Sequence, residues 1–371
     1  MSEAEPQLQP TGTTPLPQQR EDAICVLMSG GVDSTLTAVL LREAGHRVVG
    51  LTMRLPVAVG CGAERTGSGE RARAVAADLA IPHVELDCTA AFHEAVIAPF
   101  RAAYAAGRTP SPCVDCNTHI KFGMVARCIR ERLGIPRLAT GHYARVIRTP
   151  QGPRLCRAAV RDKDQSYFLY GMSRACLEAL SLPLGELAKP AVRAMAAQRQ
   201  LPVAASAESM ELCFAAGGDY RAALGDAGDR PGPIVDSRGR ELGRHPGIRH
   251  FTVGQRKGLG VAWTEPLFVL RIEPEADRLV VGTRAEGQRH TVTATRVNVL
   301  QSAAYRAATC LRGKLRSGGE PQPCTLVETG AQQMQVRFAR PVFAPAPGQH
   351  LVLYDASDAI VAGGVIAASA G

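Results

Sequence analysis

A glycine-rich turn between an apolar run and a helical pattern is the feature that most constrains the fold of this chain. The run AICVLM at residues 23–28 has the length and composition of a buried strand. It stops at SGGVDS, and apolar residues then recur at helical spacing through TLTAVLLREAG. Gly45 follows the last periodic residue, where glycine commonly ends a helix. The segment therefore predicts a strand, a tight turn and a helix, the first unit of an α/β fold.

The same alternation continues over the first two-thirds of the chain. RVVGLTM and PHVELDC are strand-like, ERARAVAADLA between them is helical, and RLATGHYA is typical of a strand with its exit loop. We therefore predict a parallel, doubly wound sheet with helices on both faces. Short strand-like segments recur from HTVTATRVNVL to AIVAGGVIA, and their regular spacing predicts a small β-barrel or sandwich at the C-terminus.

Changes in composition divide the 371 residues further. Residues 1–20 are polar and rich in proline, which predicts a disordered tail. Residues 21–217 carry the α/β alternation, and residues 218–285 are dense in glycine, proline and arginine. We predict an α/β domain over 21–217, a small central α+β or β domain over 218–285 and a β-barrel over 286–371.

Net charge and hydropathy indicate which classes of partner the protein can have. The formal net charge is +9, which favours a polyanion such as nucleic acid, although a general arginine bias would give the same excess. No apolar stretch approaches the roughly 18 residues that cross a bilayer, and the N-terminus lacks the features of a signal peptide. We therefore expect a cytoplasmic protein that does not enter a membrane.

The number of cysteines and the N-terminal sequence do not favour a disulfide framework. There are 11 of them, an odd number without an export signal, which predicts mostly reduced thiols. Cys25, Cys88, Cys156 and Cys310 have apolar neighbours and are predicted to lie in the core.

The glycine-rich turn is suited to an anion. Its backbone N–H groups can converge on one cavity, and the helix start, expected near Asp33 or Ser34, adds the positive end of its dipole. Ser29 and Ser34 can donate hydrogen bonds to phosphate oxygens, and Asp33 suits a magnesium ion carried by the phosphates. No lysine follows the glycines, so the turn is not a Walker loop. A plain connecting turn is the alternative.

Two further positions lie at predicted strand ends, where ligands bind in doubly wound sheets. Met53 ends RVVGLTM and is placed to touch an adenine ring, and Gly141 follows RLAT, where it could let a nucleotide approach. A core methionine is the alternative for Met53.

A pair of cysteines stands in GRTPSPCVDCNTHIKFG. We predict a helix that begins near Asn117, which would put Cys116 at its N-terminus and lower the pKa of its thiol, with Lys121 adding to the effect. Cys113 and Cys116 could also be half of a zinc site, but the sequence has no second C-x-x-C. A redox pair and inert thiols are the other readings.

Six segments together resemble the tRNA-specific 2-thiouridylases, the MnmA/TrmU family of the PP-loop ATP pyrophosphatase superfamily. They are MSGGVDS, GRTPSPCVDCNTHIKFG, ATGHYAR, DKDQSYFLYGM, ELCF and HFTVGQRKGLG, in the family order. The resemblance implies a sulfurtransferase that uses ATP and Mg²⁺ to adenylate O2 of the wobble uridine in tRNA and transfers persulfide sulfur to C2. It also implies a PP-loop α/β domain, a central domain and a C-terminal β-barrel that binds tRNA.

The resemblance assigns roles residue by residue. Cys116 matches the nucleophile and Cys213 the persulfide carrier, and the two would form a transient disulfide. The positions that match the ATP site are Leu27, Met28, Ser29, Gly30, Gly31, Val32, Asp33, Ser34, Met53 and Gly141. The positions that match tRNA contacts are Ser111, Pro112, Cys113, Lys163, Asp164, Gln165, Arg316 and Ser317. No metal site is fixed beyond Mg²⁺ on ATP, with Asp33 as a candidate ligand.

The implied partners are the tRNAs for lysine, glutamate and glutamine and an upstream protein that donates persulfide sulfur to a monomeric enzyme. The chain departs from the family pattern at Glu211, in AESMELCF, at Cys113, where some members carry aspartate, and at Ser317, where an aromatic residue is missing. Two other functions are alternatives: that of a PP-loop synthetase that adenylates a small metabolite, and that of a non-catalytic RNA-binding protein.

Overall fold

The computed structural model describes most of the chain in two compact units. The described residues are 6–12, 14–56, 67–204, 213–215, 220–225, 228–330 and 332–368. The first unit comprises Met1–Ala95 and Cys113–Tyr220, and the second comprises Val96–Pro112 and Arg221–Gly371. The predicted boundaries at residues 217 and 285 remain predictions, since this division is into two units and assigns Val96–Pro112 to the second.

A six-stranded sheet organises the first unit. Its strands are β1 (Leu8–Pro10), β2 (Ala23–Leu27), β3 (Arg47–Arg54), β4 (His83–Asp87), β5 (Arg137–Ala139) and β8 (Leu180–Ser181), and a separate hairpin consists of β6 (Ala144–Thr149) and β7 (Gly152–Arg157). The order is β1-β4-β3-β2-β5-β8, and every neighbouring pair from β4 to β8 is parallel. The strand order reverses between β2 and β5, which is the switch point where doubly wound sheets bind ligands.

Helices connect the parallel strands, as the alternation predicts. The α-helices of both units are, in chain order, α1 (Val32–Glu43), α2 (Gly67–Asp78), α3 (Thr89–Phe92), α4 (Ala98–Ala105), α5 (Pro112–Asp115), α6 (Ala126–Arg132), α7 (Arg174–Ala179), α8 (Lys189–Gln198) and α9 (Ser302–Ala307), of which α9 lies between β-strands of the second unit. A π-helical segment, Cys116–Val125, joins α5 to α6 without a break. Leu36 and Val39 of α1 and Val192 of α8 belong to one buried core cluster.

Gly45 ends α1 as the sequence predicts. Its φ is +86°, in the left-handed region that suits glycine. Its N–H donates to the carbonyl of Arg42, and the next N–H, of His46, donates to that of Leu41. These two bonds form the Schellman arrangement, which satisfies carbonyls at the helix end.

The prediction of a disordered tail over residues 1–20 is wrong for Leu8–Pro10. This segment is β1, which pairs antiparallel with β4 and covers the edge of the sheet. Just beyond it, the Thr11 hydroxyl bonds Nδ1 of the buried His83 at 2.7 Å. Proline is tolerated at the end of an edge strand because no ladder bond needs its missing N–H, so the proline-rich composition was misleading here. Residues 1–5 and 13 lie outside the described residues.

The second unit is built of β-structure, in agreement with the fold prediction. A four-stranded sheet has the order β10-β9-β12-β11, with β9 (Gly232–Val235), β10 (Glu241–His245), β11 (Phe268–Glu273) and β12 (Arg278–Gly282). A closed six-stranded barrel follows, made of β13 (Gln288–Val299), β14 (Leu311–Lys314), β15 (Gln322–Thr329), β16 (Gln333–Phe343), β17 (His350–Tyr354) and β18 (Ile360–Ile366). Among the helices in the described ranges, none has the length and apolarity needed to span a membrane.

Candidate active site

The glycine-rich turn lies at the switch point, between the end of β2 and the start of α1. Gly30 has a φ of +71°, and Gly31 is the N-cap of α1. The helix begins at Val32, one or two residues before the predicted start. The Ser34 hydroxyl accepts from the N–H of Ser29 at 3.2 Å and donates to the Gly31 carbonyl at 3.2 Å. The turn is thus held in shape by its own serine, with a helix N-terminus opening beside it.

Gly141 follows β5, on the other side of the switch point. A Cβ at this position would lie 2.9 Å from the carbonyl carbon of Asp33 and 3.0 Å from the backbone nitrogen of Ser34. The missing side chain therefore lets the exit loop of β5 lie directly against the first turn of α1. The sequence analysis expects this glycine to let a nucleotide approach, and the structure adds a packing reason for it.

Asp33 is held by two residues that the sequence analysis did not select. The ammonium group of Lys189 donates to both carboxylate oxygens, at 2.7 and 2.6 Å, and the Tyr143 hydroxyl donates to Oδ1 at 2.7 Å. Lys189 lies 156 residues along the chain from Asp33, so nothing in the local spacing pairs them. Its position as the first residue of α8, where a cation opposes the helix dipole, is the one signal that could have drawn attention to it.

The loop Lys163–Gln165 is joined to the same network. The backbone N–H of Tyr143 donates to Oε1 of Gln165 at 2.9 Å, and the N–H of Gln165 donates to the Tyr143 carbonyl at 2.8 Å. Gln165 therefore connects through Tyr143 to Asp33 of the glycine-rich turn. The Gln165 side chain already has an internal partner in this arrangement.

Asp164 is turned inward. Its carboxylate pairs with Arg157 at 3.0 Å, and the two side chains are 1% and 3% exposed. It also accepts from the backbone N–H groups of Ala158 and Ser166 at 3.1 Å each. Lys163 is exposed. Of the three predicted tRNA contacts in this loop, the lysine alone combines a cationic side chain with exposure.

The predicted helix start near Asn117 is wrong. The helix begins at Pro112, so Cys116 is its fifth residue. The helix dipole acts mainly within the first turn, and Cys116 lies after that turn. Burial raises the pKa of the Cys116 thiol, Lys121 opposes that rise and Asp115 adds to it. Burial likewise raises the pKa of Cys113. The prediction that the helix dipole lowers the Cys116 pKa is therefore also wrong.

Both candidate thiols lie beside α3. Phe92, the last residue of α3, packs edge-on against Phe214, with ring centroids 5.9 Å apart. Phe214 is 7% exposed, whereas the adjacent Cys213 is exposed. Cys88 caps the other end of α3 and is close enough to Cys116 that the second thiol adds to the burial that raises the Cys88 pKa to about 12.

The remaining predicted residues are placed as follows. Leu27 and Met28 are 8% and 3% exposed, and Met53, the penultimate residue of β3, is partly exposed. Ser111 and Pro112 are buried, and Arg316 and Ser317 are exposed in the turn between β14 and β15. Glu211 lies outside the described residues. Cys25, Cys88 and Cys156 are buried as predicted, whereas Cys310 is exposed, so that prediction is wrong for Cys310.

Three family models match consecutive parts of the chain. They are described as a tRNA methyl transferase HUP domain at residues 22–217, a tRNA methyl transferase PRC-barrel domain at 225–283 and an aminomethyltransferase β-barrel domain at 289–366. The tRNA-specific 2-thiouridylase MnmA of Syntrophotalea carbinolica is 41% identical over 94% of this chain and 100% of its own length. That of Nitratidesulfovibrio vulgaris is 42% identical over 92% of this chain and 98% of its own.

The chain belongs to the MnmA family of tRNA-specific 2-thiouridylases. The fold implied by the resemblance to this family is confirmed. It consists of a HUP-type α/β domain, a central domain that matches a PRC barrel, and a closed C-terminal β-barrel. The roles of the individual site residues remain predictions, and the geometry above is what supports them.

Proposed function

We propose that the protein is an ATP-dependent tRNA-uridine 2-sulfurtransferase that converts the wobble uridine to 2-thiouridine. The observation that carries the proposal is the convergence on one sheet edge. The glycine-rich turn follows β2, and α3 follows β4 in the same parallel sheet. Phe92 of α3 packs against Phe214, the residue after Cys213, and Cys88, the N-cap of α3, lies near Cys116. A nucleotide-activating loop and two thiols at the carboxyl ends of one sheet suit activation of a carbonyl followed by sulfur delivery.

Activation comes first in this proposal, because a uridine carbonyl oxygen is a poor leaving group. Uridine O2 attacks the α-phosphorus of ATP, pyrophosphate leaves, and the adenylated O2 can then depart as AMP. The backbone N–H groups of Gly30, Gly31 and Val32 and the N-terminus of α1 would hold the phosphates. Ser29 would add a hydroxyl donor, and Ser34 would add a second one on releasing the Gly31 carbonyl.

Sulfur transfer needs both thiols. Cys213 would carry the sulfur as a persulfide, and its exposure suits loading by a donor protein. In one route Cys116 attacks the Cys213 Sγ, and the released sulfide displaces AMP from C2. In the other, the terminal sulfur of the persulfide displaces AMP, and Cys116 then attacks the Cys213 Sγ to free the thiolated base. Both routes leave a Cys116–Cys213 disulfide, which an external thiol must reduce.

The described residues fit Mg²⁺ that is carried largely by ATP. Mg²⁺ is usually held by one or two carboxylates together with substrate phosphates. Asp33 is a carboxylate at the turn, and the described part of the chain holds no group of three His, Cys, Asp or Glu side chains placed for a metal. Asp33 would therefore be the protein ligand, and Mg²⁺ would neutralise phosphate charge.

The finer partners are part of the proposal. Arg316 and Ser317 in the exposed β14–β15 turn and Lys163 are suited to the tRNA backbone, and the positive net charge favours such a polyanion. We expect the tRNAs for lysine, glutamate and glutamine as substrates, a persulfide-bearing protein as donor, a monomeric enzyme and a cytoplasmic location.

The test is nucleoside mass analysis of unmodified tRNA incubated with the enzyme, ATP and a persulfide source. We expect 2-thiouridine at the wobble position that depends on ATP. Cys213→Ser should still release pyrophosphate in the presence of tRNA but form no thiouridine. Two of the matching family models are described as tRNA methyl transferase domains, so the same digest is also searched for methylated uridine. Methylation, or adenylation of a small metabolite instead of tRNA, would overturn the proposal.

A further inference from the structure

The glycine-rich turn contains no cation of its own. Residues 29–34 offer amide and hydroxyl donors, and the single charged side chain among them, Asp33, has the wrong sign for a triphosphate. A phosphate site with backbone donors alone is possible, but ATP-binding loops commonly add a lysine that reaches the outer phosphates. The question is whether a distant residue supplies that charge.

Lys189 is the cation that the fold brings to this place. Its Nζ lies 2.7 and 2.6 Å from the two carboxylate oxygens of Asp33 and 5.7 Å from the centre of the Tyr143 ring. The Lys189 side chain is 12% exposed and that of Asp33 is 32% exposed. The lysine therefore approaches the turn from the protein side, while the carboxylate keeps part of its surface open.

Helix stability does not explain a lysine at this position. Lys189 is the first residue of α8, where a positive charge opposes the helix dipole, whereas Asp33 in the first turn of α1 is favourable. The ion pair also brings the N-termini of two helices together. The positive ends of two helix dipoles and an ammonium group therefore lie near one carboxylate, which is an arrangement suited to an anion.

We propose that Lys189 binds the phosphates of ATP and is held by Asp33 until the nucleotide arrives. Lys189 then exchanges a carboxylate oxygen for a phosphate oxygen, which leaves the Asp33 carboxylate available to Mg²⁺. The inference rests on nucleotide binding at the turn, as the proposed function requires, and adds a binding residue to it.

The first experiment compares ATP with AMP. Lys189→Met keeps the length of the side chain and removes its charge, and Arg130→Met removes an exposed positive charge from α6 as the matched control. By equilibrium binding, Lys189→Met should weaken ATP at least about tenfold and AMP less than about twofold, since a charge-assisted bond to the outer phosphates is lost. Equal losses for both nucleotides, or no loss, would contradict the inference.

The second experiment uses the other half of the ion pair, in buffer with EDTA and no Mg²⁺. Asp33→Asn should strengthen ATP binding at least about threefold, because Lys189 no longer leaves a carboxylate to reach phosphate. A purely structural ion pair predicts that both variants lose affinity together. Reduced repulsion alone would also strengthen binding in Asp33→Asn, but that gain would persist in Lys189→Met/Asp33→Asn, whereas a gain that depends on Lys189 should disappear in the double variant. Thermal unfolding of each variant checks its fold. A wild-type protein that binds no ATP would overturn the proposed function, whereas shifts of the same sign would overturn the role of Lys189 alone.

Discussion

Phe214 meets Phe92 edge-on, with an angle of 69° between the ring planes, and thereby ties the segment that carries Cys213 to α3. Phe92 is fully buried and Ala215, the residue after Phe214, is also fully buried. Cys213 itself is exposed. The aromatic pair is an anchor beside an accessible thiol, and the other end of the same helix, at Cys88, adjoins Cys116.

This anchor predicts that Phe92→Leu slows formation of the Cys116–Cys213 disulfide under a mild oxidant by about threefold to tenfold. An edge-to-face pair contributes about 0.5–1.5 kcal/mol beyond its buried area, and its loss loosens the position of Cys213. The measurement is the rate at which the disulfide-linked peptide appears by mass spectrometry. Phe100→Leu is the matched control, since Phe100 is also buried and edge-on to an aromatic ring, that of Tyr104. An equal slowing in both variants would show that the anchor has no special role.

The thiols should differ in reactivity. Burial raises the pKa of Cys116, so its thiolate is scarce near neutral pH, and its side chain is also shielded. We expect iodoacetamide to modify Cys116 at least about tenfold more slowly than the exposed Cys310, because the raised pKa of Cys116 lowers its thiolate fraction and burial limits access to its sulfur. Peptide mapping over time measures each thiol separately.

A second variant checks the electrostatic part of that reactivity. Lys121 lowers the pKa of Cys116 against the effect of burial. Lys121→Met should therefore slow the alkylation of Cys116 further and leave that of Cys310 unchanged. Alkylation of Cys116 at the rate of Cys310 in the wild-type protein would refute the prediction.

The start of the helix that carries Cys116 illustrates where sequence reasoning failed. The prolines of TPSPC favour a non-helical loop, which places the predicted helix start after them. In the structure Pro112 occupies the first helical position, where its fixed φ and missing N–H cost nothing. The error moved Cys116 from the interior of a helix to its end and reversed the direction of its pKa shift. Proline disrupts the interior of a helix but is favoured at its first position, and the local sequence does not show which of the two positions a proline will occupy.

Other parts of the site were predictable because they follow from local pattern. The turn at Gly30 and Gly31 and the cap at Gly45 need only the order of strand, glycine and helix. The pairing of Lys189 with Asp33 depends instead on the strand order, which places α1 and α8 side by side. Contacts between segments so far apart are set by topology, and no local period encodes them.

Gly141→Ala should weaken ATP binding by about tenfold and destabilise the fold by about 1–3 kcal/mol. The new Cβ would meet backbone atoms of Asp33 and Ser34 at 2.9–3.0 Å, and backbone cannot move aside as a flexible side chain can. Binding isotherms and urea unfolding measure the two effects. Gly318→Ala is the control, since a Cβ there meets nothing within 4 Å. Wild-type affinity in Gly141→Ala would mean that the loop yields without cost.

Two neighbouring residues of the loop Lys163–Gln165 should have different roles, with Asp164 stabilising the fold and Lys163 binding tRNA. Asp164→Asn breaks a buried ion pair with Arg157 and should cost about 3–5 kcal/mol in the free energy of unfolding, measured with urea. Lys163→Met should leave stability nearly unchanged, weaken tRNA binding and reduce the salt dependence of that binding by about one phosphate contact. Binding measured at several salt concentrations tests the second effect. The assignment fails if Lys163→Met keeps the wild-type salt slope.

The barrel should lose stability in acid through His350 of β17. Burial, with a smaller contribution from Arg296, lowers the pKa of His350 to about 3. The folded state therefore favours neutral imidazole, so this stability is complete above the unfolded pKa of about 6.5 and is lost as the pH falls from there toward about 3. Each pH unit in that window costs about 1.4 kcal/mol. The free energy of urea unfolding, followed from about pH 7.5 to about pH 5, should fall less steeply in His350→Gln than in the wild-type protein. His290→Gln removes an exposed histidine from the same barrel and should keep the wild-type slope, and equal slopes in all three proteins would contradict the prediction.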